Sequence, residues 1–366
     1  MNALIDTDVH VRWEQDTDLL PYLDKTWHSR WLLGRGGHTA QGLFIEPKFY
    51  DPDDPHPRNS PGLPGLTTVN IQAAANPATL DQEWLEPQGI TAAVISCYDA
   101  ALISTYADSD YPTEVAQAVN RWMTDHFLSK DKRLFGSITV ATQDPARAAQ
   151  EIRRAAQHPQ MAQVVLSSGA RMPYGHKYYR PLFQAAHECG LAVAIAAGTE
   201  GLGTSNPPTP SGWPGTVTEM RVARDTTFLA HLTSMITEGV FVEYPDLTVC
   251  GFGMGAAWLP PYLWRFDKNW KALRSECPWL RELPSEVAGR HFRFGSSGVT
   301  PVEPADEFWR LFHSVPGSRL LMHASDYPRW DMDQPETSFV LKTAPEDWKP
   351  WIRSEGALAA YPRLIR

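Results

Sequence analysis

Eight short runs of apolar, often β-branched residues recur along the chain, and most are followed by a stretch with helical spacing. The runs are 3–5 leading into 6–10, 90–96, 134–140, 163–166, 191–195, 247–250, 292–294 and 319–322. They lack the strict alternation of a strand with one wet face, so each reads as a strand buried on both sides. Helices are expected over 80–89, 113–128, 144–156, 179–189, 217–239, 258–273, 303–312 and, in one or two pieces, 347–361. Asp144 before Pro145 is an N-cap with proline at the first helical position, and Gly89 and Gly190 stand where helices must stop. Strand and helix alternating eight times means a parallel sheet covered by helices. The fold class is therefore α/β, a (β/α)8 barrel first and a doubly wound sheet second.

Two stretches break this rhythm. A long irregular insertion after strand one, 35–70, is rich in proline and glycine but also holds Phe44, Ile45, Phe49, Tyr50 and Leu63, so it reads as a packed excursion rather than a linker. A second excursion, 200–216, contains the run SNPPTPSGWP at 205–214. Both follow strand ends, which on a barrel is the mouth. The whole chain, 1–366, is read as one barrel domain. Proline is unusually frequent, 31 of 366 residues or about 8.5 % against a usual roughly 5 %, and tryptophan is high at 14. A hydrophobic share of 43 % excludes disorder. Charge is 33 − 42 = −9, without the basic footprint a nucleic-acid binder needs. Cys97, Cys189, Cys250 and Cys277 share no CxxC spacing, which argues against a disulfide scaffold or a cysteine zinc site. The opening MNALIDTDVHVRW has no basic n-region or long apolar run, so no signal peptide is expected; no run approaches the roughly 18 apolar residues of a membrane span, and a cytoplasmic protein is expected.

The candidate chemistry lies past the strands. Asp8 and His10, two apart on strand one, point the same way and offer half a metal site. Past strand eight, Ser325-Asp326-Tyr327-Pro328 puts a carboxylate at the mouth, where Asp326 can serve as metal ligand or as general base. Past strand five (Ala196 to Glu200) and strand six (Gly251 to Trp258) no His, Asp or Glu stands directly at the strand end. The glycines at 251, 253 and 255 read as a tight turn into the Trp258 helix, since there is no GxGxxG and no P-loop lysine. Glu200 and His231 are the candidates for a further ligand, although His231 lies among apolar residues and reads as packed. His187 reads as surface, and Cys97 and Cys250 as lining the mouth. Arg171 and Arg329, near strand ends, favour a small carboxylate-bearing substrate. There is no GxSxG, HExxH or kinase signature.

These residues resemble the amidohydrolase-related branch of the amidohydrolase superfamily, metal-dependent TIM-barrel hydrolases and decarboxylases. The resemblance runs through IDTDVH (5–10), LPYLDKTW (20–27), LFGSITVATQDPARAAQEIRRA (134–155) and YYRPLFQAAHECGLAVAI (178–195). It continues through EGVFVEYPDLTV (238–249), AWLPPYLWRFDKNW (257–270), LPSEVAGRHF (283–292) and ASDYPRWDMDQP (324–335). It implies metal ligation by Asp8, His10 and Asp326, with zinc, iron or manganese as the ion. The family's strand-five histidine falls at Ala196, the acidic residue before the Gly-rich turn near Gly253, and the near-terminal Glu-Asn-Ala becomes Glu355-Gly356-Ala357. Half of the family's ligand set is thus missing. Two expectations follow. In one, the chain is a subunit with a weakened or absent metal site that supports an active homologous barrel in a hetero-oligomer, as in two-component hydroxylases of 2-aminoisobutyric acid, with its tryptophan- and proline-rich excursions as docking surface. In the other it is a self-sufficient mononuclear metal-dependent hydrolase or decarboxylase using Asp8, His10 and Asp326.

Overall fold

Each of the eight apolar runs forms a strand. The computed structural model describes residues 3–33, 74–316, 319–329 and 331–365. The strands are β1 (Ile5–Val11), β2 (Ala92–Cys97), β3 (Leu134–Thr139), β4 (Met161–Ser167), β5 (Ala192–Ala196), β6 (Val249–Phe252), β7 (Phe292–Gly295) and β8 (Leu321–Met322). Neighbours pair in parallel in chain order. Beyond β8 the chain continues alongside β1: Thr7 N donates to His323 O at 3.1 Å, Asp326 N to Asp8 O at 3.0 Å and His10 N to Tyr327 O at 2.7 Å. These bonds bring the first and last strands together, so the sheet is a barrel and not the open alternative. The expected insertion at 35–70 lies outside the described residues.

Helices cover the outside. α1 (Lys25–Leu33) and α2 (Pro77–Leu80) precede β2, and α3 (Asp110–Met123), α4 (Pro145–Ala155) and α5 (Arg180–Glu188) follow β2, β3 and β4. After β5 come α6 (Val217–Ala223), α7 (Asp225–Thr237) and α8 (Val240–Glu243), and after β6 come α9 (Leu259–Leu273) and α10 (Pro284–His291). α11 (Ala305–His313) follows β7, and α12 (Phe339–Thr343) and α13 (Gly356–Ala360) follow β8. Asp144 caps α4 as expected, its carboxylate accepting from Ala146 N and Arg147 N. The helix expected over 217–239 is broken at Arg224. Arg224 itself keeps helical dihedrals (φ −55°, ψ −39°), and Thr226 Oγ1 donates to Ala223 O at 2.7 Å beside it. Among the described residues, no helix is long and apolar enough to cross a membrane.

The alternation of the strands divides the core in two. Val9, Val11, Ile95, Ile138 and Val164 face outward into a large layer shared with Trp122, Phe183 and Phe228 from the helices. Ile5, Val94, Phe135, Ala162, Ala192, Ala194, Phe252 and Met322 fill the barrel interior. Ala357, Ala360 and Tyr361 join this inner layer, so α13 plugs one end of the barrel. Arg363 marks which end, since its guanidinium donates to the carbonyls of Ala156, Met161 and Cys189, at or just before the starts of β4 and β5. The mouth at the strand C-terminal ends is thus left for chemistry. Trp13, Trp31, Trp84, Trp122, Trp309 and Trp348 are buried, whereas Trp213 in the 200–216 excursion is exposed.

Candidate metal centre

A bulge sets the site. Asp6 pairs with Ala93 and Val9 with Ile95, so three steps on β1 match two on β2. The extra residue reverses the alternation. Ile5 lies in the inner layer, yet Val9 and Val11 lie in the outer one, and the positions between them on the far side of the bulge, Asp8 and His10, turn inward. Opposite, Asp326 takes a left-handed backbone (φ 61°), a conformation that costs energy in a residue with a side chain. Hydrogen bonds hold it there. Its N–H donates to Asp8 O, and the buried Asp6 carboxylate accepts from Ser325 N at 2.9 Å, Asp8 N at 3.3 Å and Trp84 Nε1 at 3.1 Å. Asp6, which the sequence reading passed over, thereby clamps the two ligand-bearing segments. Its type and its place two residues before Asp8 were the available signal.

Asp8, His10 and Asp326 converge, with one ligand atom from each lying within 4.8 Å of the others. His10 Nε2 donates to Asp326 Oδ1 at 2.7 Å and lies 3.7 Å from Asp8 Oδ1. His10 Nδ1 shares a hydrogen bond with Ser96 Oγ at 2.9 Å, which fixes the ring. Arg329 Nε lies 3.3 Å from Asp326 Oδ2. The electrostatics follow from burial and this crowding. Burial pushes the Asp8 carboxyl up to about 7, with the neighbouring Asp326 and Asp6 charges adding and His10 opposing. Burial also opposes a charge on His10, but Asp8 and the Asp326 hydrogen bond outweigh it and raise its pKa. Burial works against ionised Asp326 too, yet Arg329 and His10 hold it below the usual carboxylate range.

The donor set suits a divalent cation. Adjacent donors on an ion with bonds of about 2.1 Å lie about 3 Å apart, close to the separations found. Two carboxylates and one imidazole form an oxygen-rich set, more like the sites of manganese or magnesium than of structural zinc. With Nδ1–H donating to Ser96 Oγ, Nε2 would be the free lone pair, the arrangement ligating histidines adopt.

The other candidates stay outside this cluster. Glu200 is buried, but its carboxylate accepts from Gly198 N at 2.9 Å and from Ser168 Oγ. His231 accepts at Nδ1 from Tyr174 N (3.1 Å) and donates from Nε2 to Ser168 O (2.8 Å), so both ring nitrogens are consumed. Burial pulls its pKa down to about 4. Cys97 faces the outer layer, not the mouth. Cys250 lies deep in the inner layer, where Tyr361 OH meets its Sγ at 3.3 Å and burial pushes its thiol up to about 12. Arg171 is occupied by Tyr106 O, Ala107 O and Thr204 Oγ1. Ala196 ends β5 without a donor, and Gly253 (φ 75°) belongs to the expected turn into α9. There Gly255 is required, because a Cβ would come within 2.5 Å of Gly298 O.

No curated protein sequence matches the chain. Solved structures do. The 5-carboxyvanillate decarboxylase of Sphingomonas paucimobilis is 23% identical with a TM-score of 0.67, covering 99% of this chain and 99% of its own. An amidohydrolase of Mycobacterium avium subsp. paratuberculosis is 18% identical with a TM-score of 0.71, covering 98% and 99%. A dihydroxybenzoic acid decarboxylase of Polaromonas, solved with manganese and the inhibitor 2-nitroresorcinol, is 16% identical with a TM-score of 0.66, covering 100% and 98%. At these identities the likeness is one of fold. A sequence profile of the amidohydrolase family matches residues 85–363, three quarters of the chain and the whole barrel from just before β2. The chain belongs to the amidohydrolase family.

Proposed function

We propose that the chain is a mononuclear metal-dependent enzyme that decarboxylates a small carboxylic acid, or hydrolyses an amide bond of a small carboxylate-bearing substrate, with Asp8, His10 and Asp326 holding the ion. The carrying observation is the convergence of these three side chains at the barrel mouth. Decarboxylation is favoured over hydrolysis because structures of like fold include decarboxylases of hydroxylated aromatic acids, three of these structures with manganese. When bound, the ion supplies Lewis-acid polarisation of a substrate oxygen. The chain's own groups do the rest. Ser96 fixes the His10 ring, Asp6 holds Asp326 in place, and the proton that His10 Nε2 shares with Asp326 Oδ1 in the ion-free site is the one that must leave for Nε2 to ligate.

The test is metal analysis and turnover of the purified chain, scoring carbon dioxide release from hydroxybenzoates with manganese, zinc or iron. Near-stoichiometric metal and turnover are expected, with both lost in Asp326→Asn while the fold persists. Metal-free, inactive protein under all three ions would overturn the reading. A second reading, a supporting subunit for a homologous barrel, is favoured by the absence of a donor at Ala196 and Gly253. Activity appearing only when a homologous chain is co-expressed would establish it in place of the first.

A further inference from the structure

The break between α6 and α7 carries an arginine that the barrel does not use. Arg224 is 7 % exposed, and its Nε is buried with no hydrogen-bond partner. Among the described residues, its guanidinium makes no hydrogen bond and no ion pair. Comparable arginines are matched: Arg221 pairs with Asp331, Arg329 with Asp326 and Asp331, and Arg147 with Asp110 and Glu114. A buried guanidinium that makes no hydrogen bond and no ion pair is costly.

Its placement supplies a reason. Arg221, three residues earlier, reaches Asp331 in the loop past β8, so the face of α6 that carries positions 221 and 224 is turned toward that loop. The same loop holds Asp326, and the Arg224 charge acts on that carboxylate. Together these put Arg224 on the side of the α6–α7 junction that faces the loop past β8 and the Asp326 charge, while Arg171 and Arg329 are spent within the protein. Because Nε is sealed, a ligand would approach the two terminal nitrogens, whose planar fork matches the two oxygens of a carboxylate. A dianionic phosphate would call for more donors than this single group offers.

We propose that Arg224 is the anion-binding residue of the mouth and receives the carboxylate of the substrate. The proposal rests on the reading of the site as one that takes a small carboxylic acid, but anion capture does not require the metal. It is tested on the full chain with benzoate as probe and benzamide, its neutral counterpart, as control. Benzoate is expected to raise the melting temperature of the unmodified protein and benzamide to leave it unchanged. In Arg224→Gln the benzoate affinity should fall at least about tenfold, with Arg224→Lys between the two. The unliganded Arg224→Gln protein should melt no lower than the parent, since a structural arginine would be missed and an uncompensated one would not. Equal binding of benzoate and benzamide by the parent, unchanged benzoate binding in Arg224→Gln, or no benzoate binding at all would each overturn the proposal. Manganese titration of the same proteins separates the two readings. Parent protein that takes no manganese but binds benzoate through Arg224 keeps this inference and removes the metal-dependent one.

Discussion

At the β1–β8 seam and at the ends of β4 and β5, the barrel mouth holds two buried clusters of ionisable residues. In composition they look alike: Asp8, His10 and Asp326 in one, Glu200, His231 and Ser168 in the other. Their wiring differs. Glu200 and His231 are each engaged by backbone or hydroxyl partners, so that cluster joins the loop after β5 to α7 and the end of β4. At the seam the three ligand atoms face one another, and two carboxylates crowd a single imidazole. Burial of polar groups is common to both. What marks a site is that its groups perturb each other instead of being satisfied elsewhere.

Three experiments press on that contrast. The largest effect is expected from removing a seam donor. His10→Ala should weaken manganese binding by about a hundredfold or more, whereas His231→Gln should leave it within a factor of about three, both read by titration. Loss of metal in the His231 variant would merge the two clusters into one site. Next is acid sensitivity. His231 is neutral in both folded and unfolded chain above its usual value near 6.5. Below that, the unfolded chain takes a proton that the folded one accepts only near 4. Stability should fall by about 3 kcal/mol as pH drops from 6.5 to 4, and His231→Gln should lack that component in parallel urea melts. A parent and variant with the same pH slope would show that the buried ring is not so isolated. The smallest effect is at the residue orienting the ligand. Ser96→Ala should lower manganese affinity by about tenfold with little change in melting temperature.

The parts visible from the chain alone were those with a local cause. Apolar β-branched runs such as Ile90 to Ser96 read as doubly buried strands, and Asp144-Pro145 reads as the opening of a helix. Asp8, His10 and Asp326 were visible as polar residues at strand ends. The bulge that turns the first two inward was not, since Thr7 and its neighbours carry no glycine or proline to announce it. The sides taken by Cys97 and Cys250 depend on strand phase around the closed barrel, which no local pattern encodes. Arg224 was hidden because the helical spacing from Val217 to Gly239 runs straight through the break, where Arg224 keeps helical dihedrals.

The seam has one more consequence. Its ligand atoms come from positions 8, 10 and 326, so the shortest separation across it is 316 residues. An ion shared by them would be a cross-link that closes almost the entire chain into a loop. Loop-closure entropy grows slowly with length but is large in total at this size. An occupant of the mouth would then protect both halves of the barrel from opening, and its strength of attachment would report on the integrity of the whole molecule.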